Sequence, residues 1–178
     1  MLKGKSIFLR LIREKDLNQL YDFRVNLENR GPFFPLLLQP EPLFIKEFKE
    51  TGFWSEGYGR FLIVNEQDEI LGSIWYIKTP LYFNALEISY IVYNPIIRNK
   101  GVMTEALQLF CNYLFSSRNI NRLELRILPN HHASEKVALK CGFCFEGTAR
   151  KAFFHHGNYV DINNYSLIRS DFQSPLLQ

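Results

Sequence analysis

Cysteine is scarce in this chain: Cys111, Cys141 and Cys144 are the only three among 178 residues. An odd count with no second ligand pair excludes a disulfide framework and fits a reducing, cytoplasmic setting. Cys141 and Cys144 do have C-x-x-C spacing, but Gly142 and Phe143 fill it directly after a helical pattern. A structural role therefore outweighs a redox or metal one. No apolar run is long enough to span a bilayer. The start, MLKGKSIFLRLIREKD, breaks its short apolar run with charges, unlike a secretory leader. GxxxxGK[ST] and GxGxxG are both missing, which removes the P-loop and dinucleotide fingerprints. There are no internal repeats and no low-complexity tract. Net charge is only +3, and no basic stripe interleaves with aromatics, so no nucleic-acid partner is expected. A mild positive excess suits an anionic small ligand instead. The pairs His131-His132 and His155-His156 lack metal-ligand spacing and read as surface loop residues; no metal is expected.

Apolar residues make up 47% of the chain and charged ones 22%, as in a soluble globular protein with a substantial core. One domain over residues 1–170 with a short tail at 171–178 is expected. Alternation predicts strands over 6–12, 61–65, 70–77, 86–93, 122–128, 143–154 and 159–169. In the first, Ile7, Leu9 and Leu11 oppose Phe8 and Arg10. Helical spacing predicts helices over 16–26, 43–50, 102–115 and 133–141, the last stopped by Gly142. Three prolines keep 31–42 irregular. Hairpin strands followed by strand–helix–strand crossovers give an α/β (α+β) fold: a mixed, mostly antiparallel sheet with helices on its faces.

The most informative stretch runs from Leu86 to Phe115. A buried strand meets a short loop with Arg98, Lys100 and Gly101, and then an amphipathic helix. Helix starts attract anions, because their first N–H groups lack intrahelical partners and the dipole is positive there. Gly101 lets a ligand approach the backbone, while Arg98 and Lys100 add charge. The bland alternative is a solvated basic turn.

Arg98-Asn99-Lys100-Gly101-Val102-Met103 resembles the acetyl-CoA signature Q/R-x-x-G-x-G/A of the GNAT N-acetyltransferase superfamily, with Met at the last position. Asn130 to Ser134, followed by Gly142-Phe143, resembles its N-x-x-[AS]…GF block. Glu146-Gly147 and Gly157-Asn158-Tyr159-Val160-Asp161 resemble the EG and G-x-[YW]-x-D features of one branch. That branch holds the ribosomal-protein alanine and serine acetyltransferases and also diamine and antibiotic acetylating relatives. The resemblance implies a GNAT-like sheet and acetyl-CoA as co-substrate. It also implies direct attack of an amine on the thioester in a ternary complex. Backbone groups of Ile91, Val92 and Tyr93 would bond the pantetheine arm, and residues 98–103 would wrap the diphosphate: Arg98, Asn99, Lys100, Gly101, Val102 and Met103. Asn130 or His131 would reach the same arm.

Glu87 interrupts an apolar strand, so it must be paired, hydrated or facing a cleft. It reads either as a base or substrate contact or as a structural residue. A lysine-type amine is less than about 0.1% neutral at pH 7, whereas an α-amine is roughly 10% neutral, so only the former depends heavily on a base. Many relatives have a Tyr acid four residues before Gly-Phe; Ala138 stands there. The branch resemblance moves the acid to Ser134, whose alternative is a helix N-cap. Phe33 and Phe34, with Trp54, read as acceptor-pocket lining or as core plugs. The branch implies a protein N-terminal α-amino group as acceptor. The alternatives are a small amine such as a polyamine or aminoglycoside, or a non-catalytic acyl-CoA sensor. A monomer or homodimer is expected.

Overall fold

The computed structural model describes residues 1–80 and 82–172. Its strands are β1 (Leu2–Lys3), β2 (Phe8–Leu11), β3 (Tyr58–Val64), β4 (Ile70–Lys78), β5 (Ala85–Val92), β6 (Arg122–Ile127), β7 (Cys144–His155) and β8 (Asn158–Ile168). Its helices are α1 (Leu17–Val25), α2 (Leu27–Arg30), α3 (Glu41–Thr51), α4 (Val102–Ser117) and α5 (His132–Lys140). The strands form one sheet in the order β1-β2-β3-β4-β5-β6-β8-β7. All neighbours are antiparallel except β5 and β6. That parallel pairing is brief. Ala85, Leu86 and Glu87 oppose Arg122, Leu123 and Glu124, and beyond Glu87 the two strands part.

The alternation of strand side chains divides the core between two faces. Phe61, Ile63, Ile74, Leu86 and Ile88 pack with Leu107, Phe110 and Leu114 of α4 and Ala138 of α5. Leu62, Val64, Ile91 and Tyr93 pack with Leu20 of α1 and Phe44 of α3. Each fully buried Leu or Phe contributes about 1.5–3 kcal/mol of transfer free energy. The expected mixed sheet with helices on both faces is what forms. No helix among the described residues is long and apolar enough to cross a membrane.

Several boundaries differ from the sequence expectation. Helix α3 starts at Glu41 rather than Leu43, because Pro42 falls in the first turn, where its missing N–H costs nothing. It ends at Gly52 with φ +63°. Leu11, expected inside, is 50% exposed, while Arg10 is only 3% exposed. Arg10 is drawn in by Asp16, which it meets at 2.7 and 2.9 Å, and it also contacts Asp68. The Asp16 carboxylate takes the Arg13 N–H as well, at 2.8 Å, and so organises the turn before α1. Strand β1 and helix α2 are too short to carry a periodic signal. Of the expected tail, 173–178 lie outside the described residues, while Phe172 packs on Phe115 with ring centroids 5.2 Å apart.

Candidate active site

The parting of β5 and β6 opens a cavity of about 500 Å³. Its walls come from four segments: the end of β5, the loop into α4, the start of α5 and the loop at 31–34. Tyr90, Ile91 and Val92 supply the β5 wall. In an antiparallel pair, main-chain groups of successive residues point to alternate sides. Tyr93 N–H donates to Leu71 O on β4 at 3.0 Å, so the groups of Val92 and Tyr90 face the gap. Val92 O accordingly accepts from Arg98 Nη2 at 3.3 Å. This corrects two expectations: the backbone groups of Ile91 and Tyr93 turn toward β4. Ile91 still lines the cavity, whereas the Tyr93 side chain is buried on the opposite face, against Arg60 and Ser73.

The loop before α4 turns through two left-handed residues, Asn99 (φ +63°) and Gly101 (φ +83°). The first intrahelical bond runs from Glu105 N–H to Gly101 O at 3.0 Å. The amides of Val102, Met103 and Thr104 precede it and have no intrahelical partner. All three residues line the cavity, as do Arg98, Asn99 and Gly101. A Cβ on Gly101 would meet nothing within 4 Å, so the backbone there is open to a ligand. Lys100 is exposed and stands outside the cavity wall. Cations that the motif did not mark take its place: Arg30, Lys136 and Lys140 also line the cavity. The i,i+4 spacing of Lys136 and Lys140 on α5 was a readable signal for the last two. No Asp or Glu lines the cavity among the described residues.

Asn130 and His131 both line the cavity. His131 stacks on Phe33, with ring centroids 3.9 Å apart and 9° between planes. Burial, and secondarily the Arg98 charge, hold its pKa below the ordinary histidine value, so the ring is neutral at pH 7. The N-cap of α5 is His131, and Ser134 is the third helical residue. The Ser134 hydroxyl is paired with Tyr90 OH at 2.7 Å. Burial pushes the Tyr90 phenol well above its usual range, and it stays protonated. Tyr90 is a site residue that sequence reasoning missed, because an aromatic in a buried strand reads as core.

Glu87 lies where β5 and β6 part and does not line the cavity. Its carboxylate pairs with Arg126 Nη1 at 3.2 Å. Burial pushes its pKa up, Arg126 opposes this, and Glu124 adds to it. Phe33 and Phe34 line the cavity, and Phe34 tilts against Trp75 at 6.1 Å. Trp54 instead packs on Phe61 and Tyr76 in the core beneath α4, away from this cavity. Cys141 is buried with its thiol pushed up to about 12, and it donates to Thr104 O at 3.5 Å. That is a structural role.

A sheet opened between diverging parallel strands, with helix amides lacking intrahelical partners and cations on one side, is a cleft suited to a phosphate-bearing donor, as in an acyl-group transferase. Residues 6–144 match the acetyltransferase (GNAT) domain, and the chain belongs to that family. It is an N-acetyltransferase whose co-substrate is acetyl-CoA. It is 27% identical over 182 residues to the probable N-acetyltransferase YjcK of Bacillus subtilis, covering 96% of this chain and 98% of that one. It is also 27% identical over 112 residues to the ribosomal-protein-serine acetyltransferase of Escherichia coli, 63% of this chain and 62% of that one. Among solved structures, it matches the Vibrio cholerae spermidine N-acetyltransferase in complex with CoA and spermine. The TM-score is 0.82 at 18% identity, with 94% and 98% of the two chains covered.

Proposed function

We propose that this protein acetylates the α-amino group of a protein N-terminus. One observation carries this reading: the charged side chains lining the cavity, Arg30, Arg98, Lys136 and Lys140, are all cationic. A polyamine or lysine side chain is almost fully protonated at pH 7 and needs both a base and acidic neighbours. The wall supplies no carboxylate among the described residues, and the neutral imidazole of His131 is stacked flat on Phe33. An α-amine is roughly 10% neutral at that pH and attacks with little help. The sequence similarity to a ribosomal-protein-serine acetyltransferase agrees with this acceptor.

The chain's own residues would divide the work. The amides of Val102, Met103 and Thr104 and the Arg98 guanidinium would hold the diphosphate, and the gap-facing groups of Tyr90 and the Val92 N–H the amide-bearing arm. Acetyl-CoA supplies the acetyl group as a thioester. With Tyr90 as the donor of their shared hydrogen bond, the Ser134 O–H would be left to donate into the cavity and stabilise the departing sulfur. The amine proton leaves to solvent. Glu87, paired with Arg126 outside the cavity wall, would position β5 and β6 rather than take a proton.

The test is release of free CoA thiol from acetyl-CoA, measured with a panel of N-terminal peptides, polyamines and aminoglycosides. Turnover with peptides bearing a free N-terminus, and none with N-terminally blocked peptides carrying lysine, is expected. Faster turnover of spermidine than of any peptide would overturn the reading, as would acetyl-CoA binding without turnover of any acceptor.

A further inference from the structure

Arg60 is a charge with no counter-charge. It sits on β3, is 6% exposed, and forms no ion pair among the described residues. A guanidinium does not lose its proton in a protein, so this is a permanent buried cation. Its Nη2 donates to Ser73 Oγ at 2.9 Å and to Tyr93 OH at 2.8 Å, and the Tyr58 hydroxyl is also within reach of the guanidinium. Its Nε has no partner at all. Buried charges are normally paired, and an orphaned buried donor asks for an explanation.

The neighbourhood repeats the pattern. Arg24 Nε, on α1, is also buried and without a partner. Arg30 donates to main-chain carbonyls, those of Arg24 at 3.3 Å and Leu37 at 3.0 Å, and forms no ion pair among the described residues. Glu47 comes near Tyr58 but accepts from Gln39 Nε2 at 3.1 Å. A chain of ring contacts leads from Arg60 to the cavity. Arg60 lies 5.1 Å from the Trp75 ring, Trp75 is 6.1 Å from Phe34, and Phe34 is 5.5 Å from the Arg30 guanidinium. Arg30 and Phe34 both line the cavity.

We propose that Arg30, linked to Arg60 through Phe34 and Trp75 and to Arg24 through the Arg24 carbonyl, forms with them a recognition site for an anionic group on the acceptor, a carboxylate next to the reacting amine. This rests on the α-amine reading and narrows it. The acceptor carries negative charge, supplied by an acidic residue close to a protein N-terminus or by the carboxylate of a free amino acid. The site's own charge repels polyamines.

The experiment compares peptides beginning Ser-Asp, Ser-Asn and Ser-Lys in the thiol-release assay, with serine and serinamide as the free amino acid arm. The Ser-Asp peptide is expected to exceed Ser-Asn by about tenfold or more in kcat/KM, and Ser-Lys to fall below both, with the gap shrinking at high salt. Preference for serine over serinamide supports the same charge from the other source. Arg60→Met should bring the Asp-to-Asn ratio toward one. Arg30→Gln gives the same readout if the core variant does not fold. Equal rates for Ser-Asp and Ser-Asn with equal rates for serine and serinamide, or preference for Ser-Lys, would overturn the site. Calorimetry with the N-acetylated product peptides in the presence of CoA separates this site from the reading beneath it. Selective binding of the acidic product without turnover of any peptide keeps the anion site and removes the transfer to an α-amine. Turnover without charge preference does the reverse.

Discussion

Replacing Ser134 with alanine separates catalysis from packing at the leaving-group end of the cavity. The Ser134 hydroxyl is 2.7 Å from Tyr90 OH, whose other hydrogen-bond partner among the described residues is the Ser134 carbonyl at 3.4 Å. Ser134→Ala leaves a buried phenol with one long bond, a cost of about 1–3 kcal/mol. For a domain of this size that lowers Tm by roughly 2–10 °C. If the hydroxyl also stabilises the departing sulfur, the barrier rises by about 1.4–2.7 kcal/mol, which is roughly 10–100-fold in kcat. KM for acetyl-CoA should change little, since the bond is made mainly in the transition state. Tyr90→Phe is the control. It removes the hydroxyl that orients Ser134 but leaves the donor itself, so kcat should fall less than about tenfold. Steady-state thiol release with matched thermal melts reads all of these values. A Ser134→Ala enzyme with kcat within about twofold of wild type and a lowered Tm would refute the reasoning. It would make Ser134 a packing partner of Tyr90.

Asp16→Asn removes the buried partner of Arg10 and leaves it only the part-exposed Asp68 as counter-charge, so it should cost about 1–3 kcal/mol in a denaturant melt, with activity of the folded fraction retained. Burial pushes Asp16 up, but Arg10 and the Arg13 amide outweigh it and hold its folded pKa below the ordinary 3.8. Its stabilisation is therefore full above that value and is lost as pH falls through the folded pKa; the variant should show a shallower acid limb. Glu87→Gln should leave kcat with an α-amino acceptor within about threefold. The raised Glu87 pKa works in the opposite direction: its stabilising contribution is present below 4.5 and is lost as pH rises through the folded value. The Tm difference, variant minus wild type, should grow between about pH 4 and pH 7. A flat difference would remove Glu87 from the pH dependence.

Much of the architecture was legible because its signals are local and periodic. Helix α4 carries Met103, Leu107, Phe110 and Leu114 on one stripe, and β6 alternates along its length. The start of α4 was legible because Gly101 needs a left-handed backbone there. What escaped depends on partners distant in sequence. Arg10 is held inside by Asp16 across a turn that carries no periodic signal, and its second partner, Asp68, is fifty-eight residues away. Tyr90 meets Ser134 across forty-four residues. Residue identity cannot report which way the carbonyls of β5 face, since that follows from its register with β4; this is why Ile91 and Tyr93 were read as facing the gap. Trp54 is open in the sequence for a related reason. An aromatic beside a loop fits pocket lining and core plug equally, and only the strand pairing puts it in the core beneath α4.

Calorimetric titration of CoA and of pantetheine, which lacks the diphosphate, into wild type and Gly101→Val is the most direct test of the cradle. A branched side chain at φ +83° strains the turn that aims the α4 amides, by about 1–2 kcal/mol or more. The account predicts CoA affinity at least about tenfold weaker in the variant, with pantetheine binding unchanged. Equal CoA affinity in the two proteins would contradict the claim that these main-chain amides hold the diphosphate.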